Sequence, residues 1–60
     1  MIRRWMNVEL RGEDARAFRA YLVASGITYS SAGSGYGYTY FDVHVTAEQA
    51  RACDEFLMSL

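Results

Sequence analysis

His44 and Asp42 are the residues with the clearest chemical potential. They stand two apart in an alternating segment, so they share one face of a strand, where the carboxylate could orient the imidazole as in a general-base pair. The sequence sets no nucleophile beside them, and two polar residues on the wet side of a strand is the plainer reading. One histidine and one cysteine fall short of the three or four donors that a zinc site needs. Cys53 recurs with Ala50, Leu57 and Leu60 at helical spacing, which predicts a small buried hydrophobe with an inert thiol. The run Gly33-Ser34-Gly35-Tyr36-Gly37 joins two strands, whereas a phosphate-cradling loop opens a helix. The expectation is a chain with no catalytic residues, no metal and no cofactor.

What remains is aromatic. From Thr28 to Tyr40 tyrosine is interleaved with serine and glycine. Antibody paratopes use this chemistry, because rigid amphipathic rings give contact area at low entropic cost while the small residues adapt. Tyr36, Tyr38, Tyr40, Asp42 and His44 fall on one side of a strand, with Trp5 available from a neighbouring one. These six are the candidate partner-binding residues. The competing reading is that the rings serve the sheet itself, through cross-strand pairs.

The elements that must position them follow from periodicity. From Ile2 to Leu10, Ile2, Met6, Val8 and Leu10 alternate with Arg3, Trp5, Asn7 and Glu9, predicting a half-buried strand whose apolar row is broken only by Arg4. A helix is predicted from about Glu13 to Ser25. Two carboxylates stand in its first turn, Ala15, Phe18, Leu22 and Ser25 form the inward stripe, Arg16, Arg19 and Val23 point away, and Gly26 sits at its left-handed cap. Ile27 to Ala32 reads as a second strand and Ala32 to Gly35 as a hairpin loop. The strand from Tyr36 to Val45 turns Thr39, Phe41, Val43 and Val45 inward. Thr46-Ala47-Glu48-Gln49 is a capping-box pattern opening a helix expected to reach the chain end.

The order βαββα predicts an α+β single domain. A three-stranded antiparallel sheet in the order 1-3-2, with both helices on one face, resembles a ferredoxin-like fold without its last strand. Phe18, Leu22, Phe41, Val43, Cys53 and Leu57 are the expected core. The first strand is left as an open edge, which invites a partner strand, a second copy of the chain included.

Composition narrows the function classes. Sixty residues bury only about 60% of their unfolded surface, which leaves little room for a deep substrate pocket. With 52% hydrophobic residues, 22% charged and no proline, the chain should nevertheless fold. Met1 to Arg4 has the charge of an export signal, but polar residues follow where an apolar run belongs, and no stretch approaches the length of a membrane span. The single cysteine fits a cytoplasmic chain better than a disulfide scaffold. A net charge of −1 disfavours phosphate-gripping nucleic-acid binders. The aromatic sheet face resembles that of RNA-recognition modules, yet the basic-Gly-aromatic run of those modules is missing and Glu9 and Asp42 share the face. Single-stranded nucleic acid is therefore the second expectation, behind protein recognition.

All six basic residues are arginine and alanine is abundant, the bias of a GC-rich genome. A very short α+β chain of this kind resembles, in size and plan over its whole length, the small inhibitors encoded by bacteriophages and mobile elements, anti-CRISPR proteins among them. The resemblance carries no motif and transfers no site residue. It implies a non-catalytic protein that blocks a CRISPR–Cas complex by binding it. The block would act through the tyrosine face or through an acidic cluster drawn from Glu13, Asp14, Glu48, Asp54 and Glu55.

Overall fold

Alternation along the most apolar strand decides the architecture. The structure, a computed structural model, describes residues 2–34 and 36–60. Its elements are β1 (Arg4–Arg11), α1 (Gly12–Ala24), β2 (Thr28–Gly33), β3 (Tyr38–Val45) and α2 (Ala47–Met58). β3 lies in the middle of a three-stranded antiparallel sheet of order β1-β3-β2. Phe41, Val43 and Val45 turn to one side of it and are fully buried. Both helices cover that side: Ala15, Phe18 and Leu22 of α1 and Ala50 and Cys53 of α2 join the three β3 residues and Ile27 in one core. The expected βαββα plan and strand order are the observed ones.

The core is largely aromatic at its centre. Phe18 meets Phe41 edge to face, with ring centroids 5.2 Å apart, and Tyr21 of α1 stacks on Phe56 of α2 at 4.5 Å, so the two helices are joined by rings as well as by the sheet below them. Such pairs contribute about 0.5–1.5 kcal/mol each beyond their burial. Met6, Val8 and Leu10 of β1 pack at the margin of this core and stay half-buried.

The helix ends are set locally. After α1 the Ile27 amide donates to the Leu22 carbonyl and the Gly26 amide to that of Val23, with Gly26 at φ 67°. This two-bond cap needs the left-handed conformation that glycine adopts without penalty, and it brings Ile27 onto Leu22, both buried. At the start of α2 the Thr46 hydroxyl accepts from the Gln49 amide while the Gln49 side chain accepts from the Thr46 amide, the expected capping box. Arg3 adds a 2.9 Å bond to the same Gln49 oxygen and ties the start of the chain to the helix.

Several boundaries differ from the periodicity reading. β2 runs on through Gly33, and the connection to β3 spans residues 34–37 rather than 32–35. The Ser34 hydroxyl accepts from the Tyr36 and Tyr38 amides, the Ser34 amide donates to the Tyr38 carbonyl, and Gly37 stands at φ 82°, so pairing begins at Gly33 opposite Thr39. Gly35 lies outside the described residues. α2 stops at Met58, where the Ser59 hydroxyl donates to the Phe56 carbonyl, and Leu60 is exposed rather than part of an apolar stripe. Leu57 is half-buried, at the rim of the core. Ser25, placed on the inward stripe by spacing, is exposed because α1 has already ended. Arg19 does not simply point away: its guanidinium lies 5.7 Å over the Phe41 ring and donates to the Ser31 hydroxyl at 3.2 Å, closing the side of the core that the small β2 residues leave thin.

Two outcomes test this core. Phe41→Ala should cost about 3–5 kcal/mol, read from urea unfolding, and an unchanged midpoint would place Phe41 on the other face of the sheet. Burial first, and the neighbouring Asp54 second, push the Cys53 thiol above its ordinary range. The native protein should accordingly resist alkylation at Cys53 until it unfolds. Because the unfolded chain loses the thiol proton first, stability should fall as pH rises past the unfolded-state value, and rapid alkylation under native conditions would contradict the placement.

Candidate interaction surface

Neither helix touches the second face of the sheet. Residues that turn away from the core on β3 are Tyr38, Tyr40, Asp42 and His44; β1 contributes Trp5, Asn7, Glu9 and Arg11, and β2 contributes Thr28, Ser30 and Ala32. The antiparallel register sets them in rows across the strands. Trp5, His44 and Thr28 make the first row, Asn7, Asp42 and Ser30 the second, Glu9, Tyr40 and Ala32 the third, and Arg11 with Tyr38 the fourth.

Directly opposed residues on an antiparallel pair have Cβ atoms about 4.5–5.5 Å apart, close enough for rings to meet. Trp5 and His44 stack, with centroids 4.6 Å apart and planes 19° from parallel. At the other end of the face the Arg11 guanidinium lies 4.7 Å over the Tyr38 ring, a cation–π contact. Hydrogen bonding to Glu9, then the charge of that carboxylate, hold the Tyr40 hydroxyl above the ordinary phenol range. Between these pairs lies a shallow open depression of about 340 Å³, lined by Asn7, Val8, Glu9, Tyr40, Phe41 and Asp42. The face is thus an apolar and cationic frame around a polar centre.

Five of the six candidate residues occupy this surface together: Trp5, Tyr38, Tyr40, Asp42 and His44. Tyr36 does not. It belongs to the turn before β3, 85% exposed and out of the strand, so the expected row of three tyrosines is a pair. His44 has gone to Trp5 across the strands rather than to Asp42 along its own, and the structure shows no hydrogen bond between His44 and Asp42. Arg11, where periodicity ends the first strand, is instead the last residue of β1 and joins the face opposite Tyr38. Among the acidic residues considered as a second cluster, Glu13 and Asp14 open α1 while Glu48, Asp54 and Glu55 lie on α2, all of them exposed. Among the described residues no three of His, Cys, Asp and Glu come together as metal ligands would, and no helix is long and apolar enough to cross a membrane.

A double-mutant cycle between Trp5→Ala and His44→Ala should give a coupling of about 0.5–1.5 kcal/mol in unfolding free energy, with His44→Ala alone altering the emission of the single tryptophan. Zero coupling would mean that the two rings do not meet in solution. No family model matches this chain, and no curated protein or solved structure does either.

Proposed function

We propose that the chain is a non-catalytic protein-binding module whose uncovered sheet face is the contact surface. The observation that carries this reading is the set of rings, Trp5, Tyr38, Tyr40 and His44, standing on hydrogen-bonded strands with no element among the described residues over them. Trp5 is 59% exposed and Tyr40 46% exposed, a large apolar outlay for a surface that would otherwise be expected to carry small polar residues. Tyrosine, tryptophan and arginine are the residue types that dominate binding energy at protein interfaces, and rings already fixed by stacking lose little freedom on binding. The cross-strand pairs that the sequence offered as a competing explanation work in the same direction, because they hold the presented rings in place.

Catalysis is not part of the reading. The imidazole of His44 is engaged with an indole, and the Cys53 thiol is buried and raised. Nucleic acid is disfavoured because Glu9 and Asp42 stand among the rings and Arg11 is the one cation of the eleven outer-face strand residues named above. The lone free cysteine, buried in the core, supports a cytoplasmic setting. The resemblance in size and plan to phage-encoded inhibitors makes a host defence assembly of the CRISPR–Cas type the first partner class to try, with inhibition by steric blockade.

The test is an interference assay paired with binding. Expression of the chain should restore plating of a phage that a CRISPR–Cas system targets, and Tyr38→Ala or Tyr40→Ala should abolish the effect while the chain stays folded, Tyr38→Ala losing only the roughly 0.5–1 kcal/mol of its contact with Arg11. If these rings are anchors, each should lower affinity for the target complex by about 2 kcal/mol or more. Binding should change little as salt is raised. A steep salt dependence, together with tight binding to a labelled single-stranded oligonucleotide, would transfer the face to nucleic acid. Full inhibition by both tyrosine variants would remove it as the site.

A further inference from the structure

The sheet ends at β1. One side of this strand is paired with β3, and the other carries unpaired backbone donors and acceptors along Arg4–Arg11. β1 is lightly guarded as an edge: it has no proline and no lysine, it pairs regularly with β3 along its whole length, and its one core-side charge, Arg4, stands at its very start. Its core-facing residues Met6, Val8 and Leu10 are only half-buried, so the apolar layer is unfinished at this margin. The opposite edge, β2, is shorter, six residues against eight, and presents Tyr29, Ser31 and Gly33 on its core side.

We propose that two copies of the chain pair antiparallel through β1, with Val8 opposite the partner's Val8, to make one continuous six-stranded sheet. A two-fold axis normal to the sheet keeps each face on its own side, so only registers pairing residues of the same face are allowed. In the proposed one Met6 meets the partner's Leu10 and the two Val8 side chains meet each other, which completes the apolar layer. On the outer face Trp5 meets the partner's Arg11, and Asn7 meets the partner's Glu9. Both are favourable pairs, and each occurs twice.

Neighbouring registers are worse for identifiable reasons. Centring on Asn7 sets Trp5 against the partner's Glu9 and Arg3 against the partner's Arg11. Centring on Glu9 sets two carboxylates face to face. Centring on Met6 drives the guanidinium of Arg4, which is on the core side, against the partner's Val8, and extends pairing to Ile2 and Arg3, outside β1. With Val8 at the centre Arg4 instead falls opposite the partner's Gly12, at the end of the ladder. The chosen register also lines up the two contacts already present in each copy. His44, Trp5, the partner's Arg11 and the partner's Tyr38 become one unbroken row, so the two outer faces merge into a single surface. This inference does not rest on the proposed function, since it concerns the edge and not the occupant of the face.

Sedimentation equilibrium of the full chain, with Asn7 variants, tests both the dimer and its register. The parent should show a reversible monomer–dimer equilibrium in the micromolar to millimolar range. Asn7→Lys should tighten it about tenfold by opposing the partner's Glu9, and Asn7→Glu should weaken it by a similar factor, each change acting at two symmetric pairs. Asn7 also faces Asp42 within its own sheet, so unfolding of the variants measured at concentrations below dissociation separates that effect from dimerisation. A strict monomer at all concentrations overturns the proposal. So does Asn7→Lys weakening association, as registers centred on Asn7 or Glu9 would require, and so do variants that associate like the parent.

Discussion

Everything in this protein depends on one strand having two different faces. β3 is central, paired on both sides, and its period-two alternation sends Phe41, Val43 and Val45 into the core and Tyr38, Tyr40, Asp42 and His44 out of it. A shift of one residue in its pairing would bury the polar set and expose the apolar one, which costs far more than a chain of this size can hold, so the register is firmly fixed. The same constraint that makes the core makes the outer face. Two helices are enough to cover one side of three strands, and nothing in the described residues is left to cover the other.

The outer face therefore has to be stable while exposed to water, and its contacts show how. Trp5 on His44 and Arg11 on Tyr38 are cross-strand pairs that add to sheet stability and restrict the rotamers of the rings. For a small domain with little core, stabilising the sheet from its wet side matters, and pre-ordered rings would lose less entropy on binding the proposed partner. On the proposed reading, stability and recognition draw on the same side chains. The unfinished apolar margin at β1 is the other consequence of small size, and pairing of two edges would relieve it.

Much of this was legible in the sequence, because the signals were local. Alternation in β3, the glycine cap at Gly26 and the Thr46/Gln49 box each depend on residues within a few positions of one another, and each is present as read. The failures were of two kinds. Tyr36 continues the alternating pattern of β3, but the Ser34 hydroxyl and the positive φ of Gly37 hold it in the turn, an outcome of hydrogen bonding that periodicity does not encode. The pairings of His44 with Trp5 and of Arg11 with Tyr38 were not legible, because those partners lie across the sheet. Neighbours two apart on one strand are about 6.6 Å apart, farther than directly opposed residues, so the imidazole meets Trp5 before it can meet Asp42. Register is a long-range property, and no spacing within a single strand reveals it.

The central claim, that the uncovered face is where this protein meets its target, is tested most directly by site-specific photocrosslinking in cells that express the chain. A photoreactive residue at Ser30, which stands on the outer face beside Asp42, is compared with one at Arg51, on the exposed side of α2. The account predicts a discrete protein adduct from position 30, lost when Tyr38 and Tyr40 are replaced by alanine, and none from position 51. An adduct from position 51 alone would contradict it and move the contact to the helices.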